Sequence, residues 1–199
     1  TLECALQIQP VATEMGVALW NAKRFVTAKK QAELDGLTQL FNKSKINGLL
    51  EELYQSTQEE LKGLAIGFVD IDHFKQFNDI CGHQAGDDAL KIVAEILRSM
   101  SRPDDFVGRY GGEEFVFALR HSTPKGAFNY AERMRLEIEK RGRLLSKRFN
   151  NLYLTASIGI ALYRPENRDY LDHVKWADQA MYQAKHQGRN RVVMIENGA

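Results

Sequence analysis

Arg109-Tyr110-Gly111-Gly112-Glu113-Glu114-Phe115 is the stretch on which the reading of this chain turns. Phe106-Val107 before it and Phe115-Val116-Phe117-Ala118-Leu119 after it read as two short strands, and a Gly-Gly pair suits the tight turn of a hairpin. The two glutamates then sit just past the hairpin tip. Glycine also lets a backbone approach a ligand closely, since no Cβ stands in the way. Two adjacent carboxylates repel, so at least one is expected to face a cation or a hydrogen-bond donor.

Upstream, Leu64-Ala65-Ile66-Gly67-Phe68-Val69 is apolar or small without alternation and runs straight into Asp70-Ile71-Asp72. Such a run indicates a strand covered on both faces. Open α/β sheets bind ligands at the carboxyl ends of their strands. Mg²⁺ takes oxygen ligands, commonly one or two carboxylates completed by substrate phosphates and water. Asp70 and Glu113 on neighbouring strands would supply that pair. Each half also has a plainer reading: the hairpin tip as a solvated turn, and Asp72 as the N-cap of a helix opening at His73-Phe74-Lys75.

With these two stretches in place, the chain resembles the GGDEF-domain diguanylate cyclases, in the GGEEF form of the motif. The resemblance runs from Asp35 to about Val193. It includes Asp35-Gly36-Leu37-Thr38, Asp70-Ile71-Asp72-His73-Phe74-Lys75, Asn78-Asp79, Gly82-His83 with Gly86-Asp87, and Gly188-Arg189-Asn190-Arg191. It implies a palm-like α/β (α+β) fold with a central mixed sheet flanked by helices. It also implies condensation of two GTP into cyclic di-GMP and two pyrophosphates, with Mg²⁺ or Mn²⁺, on a homodimer. The family pattern has Asn-Arg where this chain has Asn42-Lys43, which keeps the charge but loses the planar fork of arginine.

The residues suit that chemistry. Asp70, the main-chain carbonyl of Ile71 and Glu113 would hold the metal, and Glu113 or Glu114 would take the proton of the attacking hydroxyl. The helix opening at Phe74 and Lys75 offers free N–H groups to phosphate, and Lys75 adds a point charge. Asn78 and Asp87 suit guanine, because a carboxylate accepts from N1–H and the 2-amino group while an amide can meet O6 or N7. Asp87 as a plain N-cap is the competing assignment. The resemblance further places His83, Lys185 and Arg189 at the nucleotide. It also marks Arg102-Pro103-Asp104-Asp105, five residues before the glycine pair, with Arg133, as a product-inhibitory site. A surface Arg-Asp pair is the alternative there.

The 199 residues carry 44% hydrophobic content, enough for one good core. Their 27 basic and 26 acidic residues leave a net charge of +1, which gives no electrostatic footprint for nucleic acid or an anionic membrane. Cys4 and Cys81 have no metal-ligand spacing and fit a reducing cytoplasm. No apolar run reaches the length of a membrane span. A start at Thr1 fits a cytoplasmic piece of a larger bacterial signalling protein. Residues 1–34 read as a linker or signalling helix, following Pro10, with a short coiled-coil-like seam at Val11, Met15, Ala18, Ala22 and Phe25; 35–199 is the catalytic domain. Helices are expected over Lys43–Gln58, from Gly86-Asp87, from Pro124 to near Gly142 and over Tyr170–His186, and core strands over Leu152–Ala161 and Arg191–Met194. Arg141, Arg143, Lys147 and Arg148 read as a solvated basic loop. Two other function classes fit parts of the pattern: a non-catalytic cyclic di-GMP receptor, and a palm-type polymerase or adenylyl cyclase relative.

Overall fold

The apolar run ahead of Asp72 becomes β2 (Ala65–Ile71), seven residues buried without a break. A strand of that kind needs cover on both faces, and the rest of the chain supplies it. The computed structural model describes residues 20, 23–24, 32–144, 146–149, 151–166 and 169–195. The chain divides into two compact units, Thr1–Leu34 and Asp35–Ala199. Val11, Met15, Ala18, Ala22 and Phe25 lie outside the described residues.

Around β2 stand β1 (Phe41–Asn42), β3 (Phe106–Gly111), β4 (Glu114–Leu119), β5 (Ala156–Leu162) and β6 (Val192–Ile195), in the order β1-β3-β4-β2-β5-β6. β1 with β3 and β5 with β6 run parallel, and the other pairs are antiparallel, so the sheet is mixed. The helices are α1 (Lys43–Tyr54), the single turn α2 (Gln58–Leu61), α3 (Phe74–Cys81), α4 (His83–Met100), α5 (Pro124–Leu144) and α6 (Tyr170–His186). Among the described residues no helix is long and apolar enough to cross a membrane.

Side chains alternate across a strand, and the core divides accordingly. Val69, Ile71, Phe115 and Phe117 pack with Phe77, Val93, Leu97 and Met134 of α3, α4 and α5. Ile66, Phe68, Val116 and Ala118 pack on the opposite face with Ile46 and Leu50 of α1 and Val174 and Met181 of α6. By the same alternation Asp70 and Glu114 point toward α1 and α6. Buried His173 anchors α6: its Nε2–H donates to the Ala161 carbonyl at 2.8 Å, which leaves Nδ1 to accept from the Tyr54 hydroxyl at 2.7 Å. Burial holds this imidazole neutral, with its pKa pushed down to about 4.

Several boundaries differ from expectation. The first helix stops at Tyr54, where the Ser56 hydroxyl donates to the Leu53 carbonyl, an alternative to continued helix. α4 begins at His83, because Gly82, at φ +86°, ends α3 and opens the next helix at once. The strand expected from Leu152 begins at Ala156. Arg141 and Arg143 belong to α5 and pair with Glu137 and Glu139 at 3.0 and 2.6 Å, so they are not loop residues.

Candidate active site

Asp70 is 5% exposed at the end of β2, and its cross-strand neighbours are Glu114 on β4 and Ser157 on β5. The hairpin tip lies one residue later than the sequence indicates. The β3–β4 register shifts between Arg109 and Gly111, Gly112 turns at φ +41°, and Glu113 sits within the turn. Glu114, rather than Glu113, is therefore the residue on the neighbouring strand directly opposite Asp70, and Glu113 sits at the tip. Burial pushes the Asp70 carboxyl up to about 6; the Lys185 ammonium, 2.8 Å from Oδ2, opposes the rise, and Glu113 and Glu114 add to it. Glu114 is raised by burial and by Asp178, against Lys185 and Lys43. Asp178 is a member of this cluster that sequence reading missed. It lies two helical turns before Lys185 on α6, a spacing that puts both on one face.

Among the described residues no three His, Cys, Asp or Glu side chains are grouped as a complete metal cage. The donor set nevertheless fits a small hard ion. Mg²⁺ uses one or two carboxylates and takes its remaining ligands from phosphate and water, and the acidic excess around Asp70 favours a cation.

The tip is held in place from the start of the domain. Arg109 donates to the Gly112 carbonyl through Nε at 2.9 Å and Nη2 at 2.6 Å, and through Nη1 to Asp35 Oδ1 at 3.2 Å. Asp35 also accepts from the Thr38 N–H at 2.8 Å and hydroxyl at 2.6 Å. Burial would raise the Asp35 carboxyl, but these bonds and Arg109 hold it below the usual range. The Asp35-Gly36-Leu37-Thr38 and Arg109–Gly112 motifs are thus one physical unit. Lys43, the departure from the family pattern, places Nζ 4.1 Å from the centroid of the Tyr110 ring, a cation–π contact that a point charge can make.

Asn78 of α3 lies against Gly86 of α4, the residue before Asp87. A Cβ built on Gly86 would lie 1.9 Å from Asn78 Oδ1, so only glycine lets the amide settle there. That buried Oδ1 has no hydrogen-bond partner. Asp87 lies in the second turn of α4, so the N-cap assignment is wrong: Gly82 occupies that position. Lys75 and His83 are exposed near the starts of α3 and α4. The Phe74 side chain is in the core, stacked on Phe77, which leaves only its backbone N–H for a ligand.

Asp72 is not an N-cap either. The α3 N-cap is His73, in the left-handed region at φ +56° with no side-chain bond. This turn sends the Asp72 carboxylate to the start of β5, where it accepts from the hydroxyls of Ser157 and of Thr155 just before the strand, both at 2.7 Å, and also from the Asn190 N–H ahead of β6 at 3.0 Å. The Asn190 side chain is held by Arg135 at 2.8 Å and donates to Glu139 at 3.0 Å. Arg189 before it, at φ +61°, lines a cleft of about 340 Å³ with His73, Gln76 and Tyr153. Lys185, four residues earlier in sequence, is directed to Asp70.

Arg102, Asp105 and Arg133 line one small pocket of about 70 Å³ with Tyr130 and Arg120. Asp105 accepts the Arg102 N–H at 2.8 Å and the Arg120 N–H at 3.4 Å, so it shapes its own loop as well as the pocket. Arg120, whose buried Nε has no partner, is a second residue the sequence did not mark.

The family model described as diguanylate cyclase, GGDEF domain, matches residues 32–191. Diguanylate cyclase A of Treponema denticola is 39% identical over 151 residues, covering 75% of this chain and 40% of that protein. The coiled coil and GGDEF domain of DgcB from Caulobacter crescentus, solved in complex with c-di-GMP, superposes with a TM-score of 0.85 at 29% identity, covering 93% of this chain and 97% of that one. The active GGEEF domain of a diguanylate cyclase from Vibrio cholerae gives 0.73 at 30% identity, covering 80% and 100%. The chain spans two fifths or less of the length of the curated relatives it matches first.

Proposed function

The chain belongs to the GGDEF-domain diguanylate cyclase family, and from that premise we propose that it condenses two GTP into cyclic di-GMP with release of two pyrophosphates. The observation that carries this reading is the buried Asp70 carboxylate set against Glu113 and Glu114 beside Lys185. In each bond-forming step a 3′-hydroxyl oxygen attacks an α-phosphorus, its proton leaves to a base, and the bond to pyrophosphate breaks in line. Such transfer depends mainly on positioning and charge neutralisation. Asp70, the Ile71 carbonyl and Glu113 would hold Mg²⁺ or Mn²⁺. When bound, that ion lowers the hydroxyl pKa and offsets charge on the leaving group.

The chain's own residues do the rest. Glu113, on the tip that Arg109 holds, would accept the proton, and Glu114 faces Asp70 and shapes the local field. Lys75, Lys185, Arg189 and the first N–H groups of α3 take the triphosphate. Asn78 and Asp87 read the base, with His83 beside them. A GTP substrate fits a cytoplasmic domain. The test is incubation of the purified protein with GTP and Mg²⁺, with the product identified by mass. Tight binding of cyclic di-GMP without turnover would favour the receptor reading instead.

The base pocket carries a separate expectation. The unpartnered Asn78 Oδ1 and the Asp87 carboxylate are both acceptors, and guanine presents N1–H and the 2-amino group as adjacent donors where adenine has none. ATP would leave the acceptors unpaired at about 1–3 kcal/mol, roughly a 5- to 150-fold preference for GTP. Gly86→Ala drives a Cβ into the Asn78 amide and should raise the KM for GTP while narrowing that preference. Steady-state kinetics with both nucleotides measure it, and an unchanged ratio would remove Asn78 from the pocket.

Product is expected to inhibit at Arg102, Asp105 and Arg133. Arginine binds phosphate in a bidentate fork and stacks on a base. Arg102→Ala should raise the half-inhibitory cyclic di-GMP concentration by about tenfold or more, with little change in uninhibited rate. Unchanged inhibition would reduce the group to surface charges.

A further inference from the structure

Lys185 is bound to the carboxylate that a metal ion would need. Its Nζ lies 2.8 Å from Asp70 Oδ2, with the two side chains 29% and 6% exposed. The carboxylate is therefore fixed inside the domain, while the ammonium rides on a flexible four-carbon stem that reaches the surface. The helix beneath it is pinned by His173 to β5 and α1, so the stem, not the helix, is free to swing. Glu114 and Asp178 extend the acidic surroundings, and among the described residues Lys185 is the one cation in ion-pair contact with Asp70.

We propose that Lys185 is an exchange cation: its ammonium and a divalent metal compete for Asp70, and the phosphates of an incoming nucleotide draw the ammonium away as the metal enters. This rests on the metal and GTP reading above. Two cations at contact distance on one carboxylate repel each other strongly in so dry a site. A polyphosphate removes the conflict, because it gives the lysine a new anionic partner within reach of its stem. Metal without nucleotide then binds weakly, metal with nucleotide binds tightly, and by linkage each strengthens the other. Lys185 is a positioning residue in this sense, setting the order in which the site fills.

The experiment measures Mn²⁺ binding to the full chain by the electron paramagnetic resonance of the free ion. Without nucleotide, Lys185→Met should bind Mn²⁺ about tenfold more tightly than wild type or better, because the competing charge is gone. Lys185→Gln keeps an N–H donor against Asp70 without the charge; it should also gain and serves if the methionine variant does not fold. With a GTP analogue carrying a methylene in place of the α,β-bridging oxygen, the advantage should shrink or reverse, since the variants have lost a phosphate contact. Equal Mn²⁺ affinities in wild type and variants without nucleotide overturn the proposal. Asp70→Asn separates the two levels. If it leaves Mn²⁺ binding with the analogue intact, Asp70 is no ligand and the metal reading falls too; if it abolishes that binding while the Lys185 variants match wild type, the exchange alone fails.

Discussion

Asp70→Asn is expected to abolish cyclic di-GMP formation and, in the same protein, to raise the melting temperature at neutral pH. The loss of activity follows from removing the charge proposed to hold the metal, and should be on the order of 10²–10³-fold or more. The gain in stability follows from burial, which lifts the carboxyl from 3.8 to about 6 even with Lys185 beside it. Each tenfold change in proton affinity corresponds to about 1.4 kcal/mol, and asparagine should recover about 1–2 kcal/mol of the cost, roughly 2–8 °C in a domain of this size. The sign is fixed by proton binding. Because the folded-state pKa lies above the unfolded one, the folded protein holds the extra proton between them. Asp70's contribution to stability is thus fully present below about pH 4 and lost as the pH rises through about 6. The difference between variant and wild type should therefore open across that window and level off above it, with metal chelated throughout. Thermal unfolding at several pH values measures it. A variant less stable than wild type at pH 7 would mean that the Lys185 pair outweighs the cost of burial.

That conflict between stability and chemistry could be read from the sequence only in part. The unbroken apolar run ending in Asp70 announces a fully covered strand with a buried acid at its end, because no solvent-facing alternation interrupts it. The bounds of α6 follow from an N-capping Asp169 and a glycine beyond His186 at φ +115°, both local signals. Asp72 was not legible. Beside His73-Phe74-Lys75 it looks like a helix cap, but its three donors lie 83, 85 and 118 residues further along. Asp87 misleads in the same way, since one glycine at Gly82 does the capping that its position invites. The link from Arg109 to Asp35 spans 74 residues, so the first motif and the hairpin look like separate signatures along the chain. The residues proposed for the chemistry are read from the sequence, and tertiary bonds decide which of them are available for it.

The other large effect concerns how many chains the reaction needs. On the reading proposed above, each chain carries one Asp70-centred carboxylate set and one base site at Asn78 and Asp87, and the product joins two nucleotides through two equivalent bonds. On that reading a single chain presents one activated α-phosphate and the second comes from another copy, and a two-fold symmetric meeting lets both bonds form in the same geometry. Below the dissociation constant of the pair, tenfold dilution should lower specific activity by about tenfold, because the active fraction then scales with concentration. If the seam expected from the sequence pairs two chains, it raises the local concentration of partners, and charged substitutions at Met15 and Phe25 should move the curve to higher protein concentration. A poisoning test adds a sharper result. Asp70→Asn added in about tenfold excess to wild type should reduce cyclic product by a similar factor, since most wild-type chains then meet a partner unable to complete the second bond. Those mixed pairs should release the linear dinucleotide, visible by mass as an intermediate still carrying its 5′-triphosphate. Specific activity that stays constant down to concentrations where sedimentation shows monomer alone, with no poisoning by the variant, would rule the two-chain mechanism out.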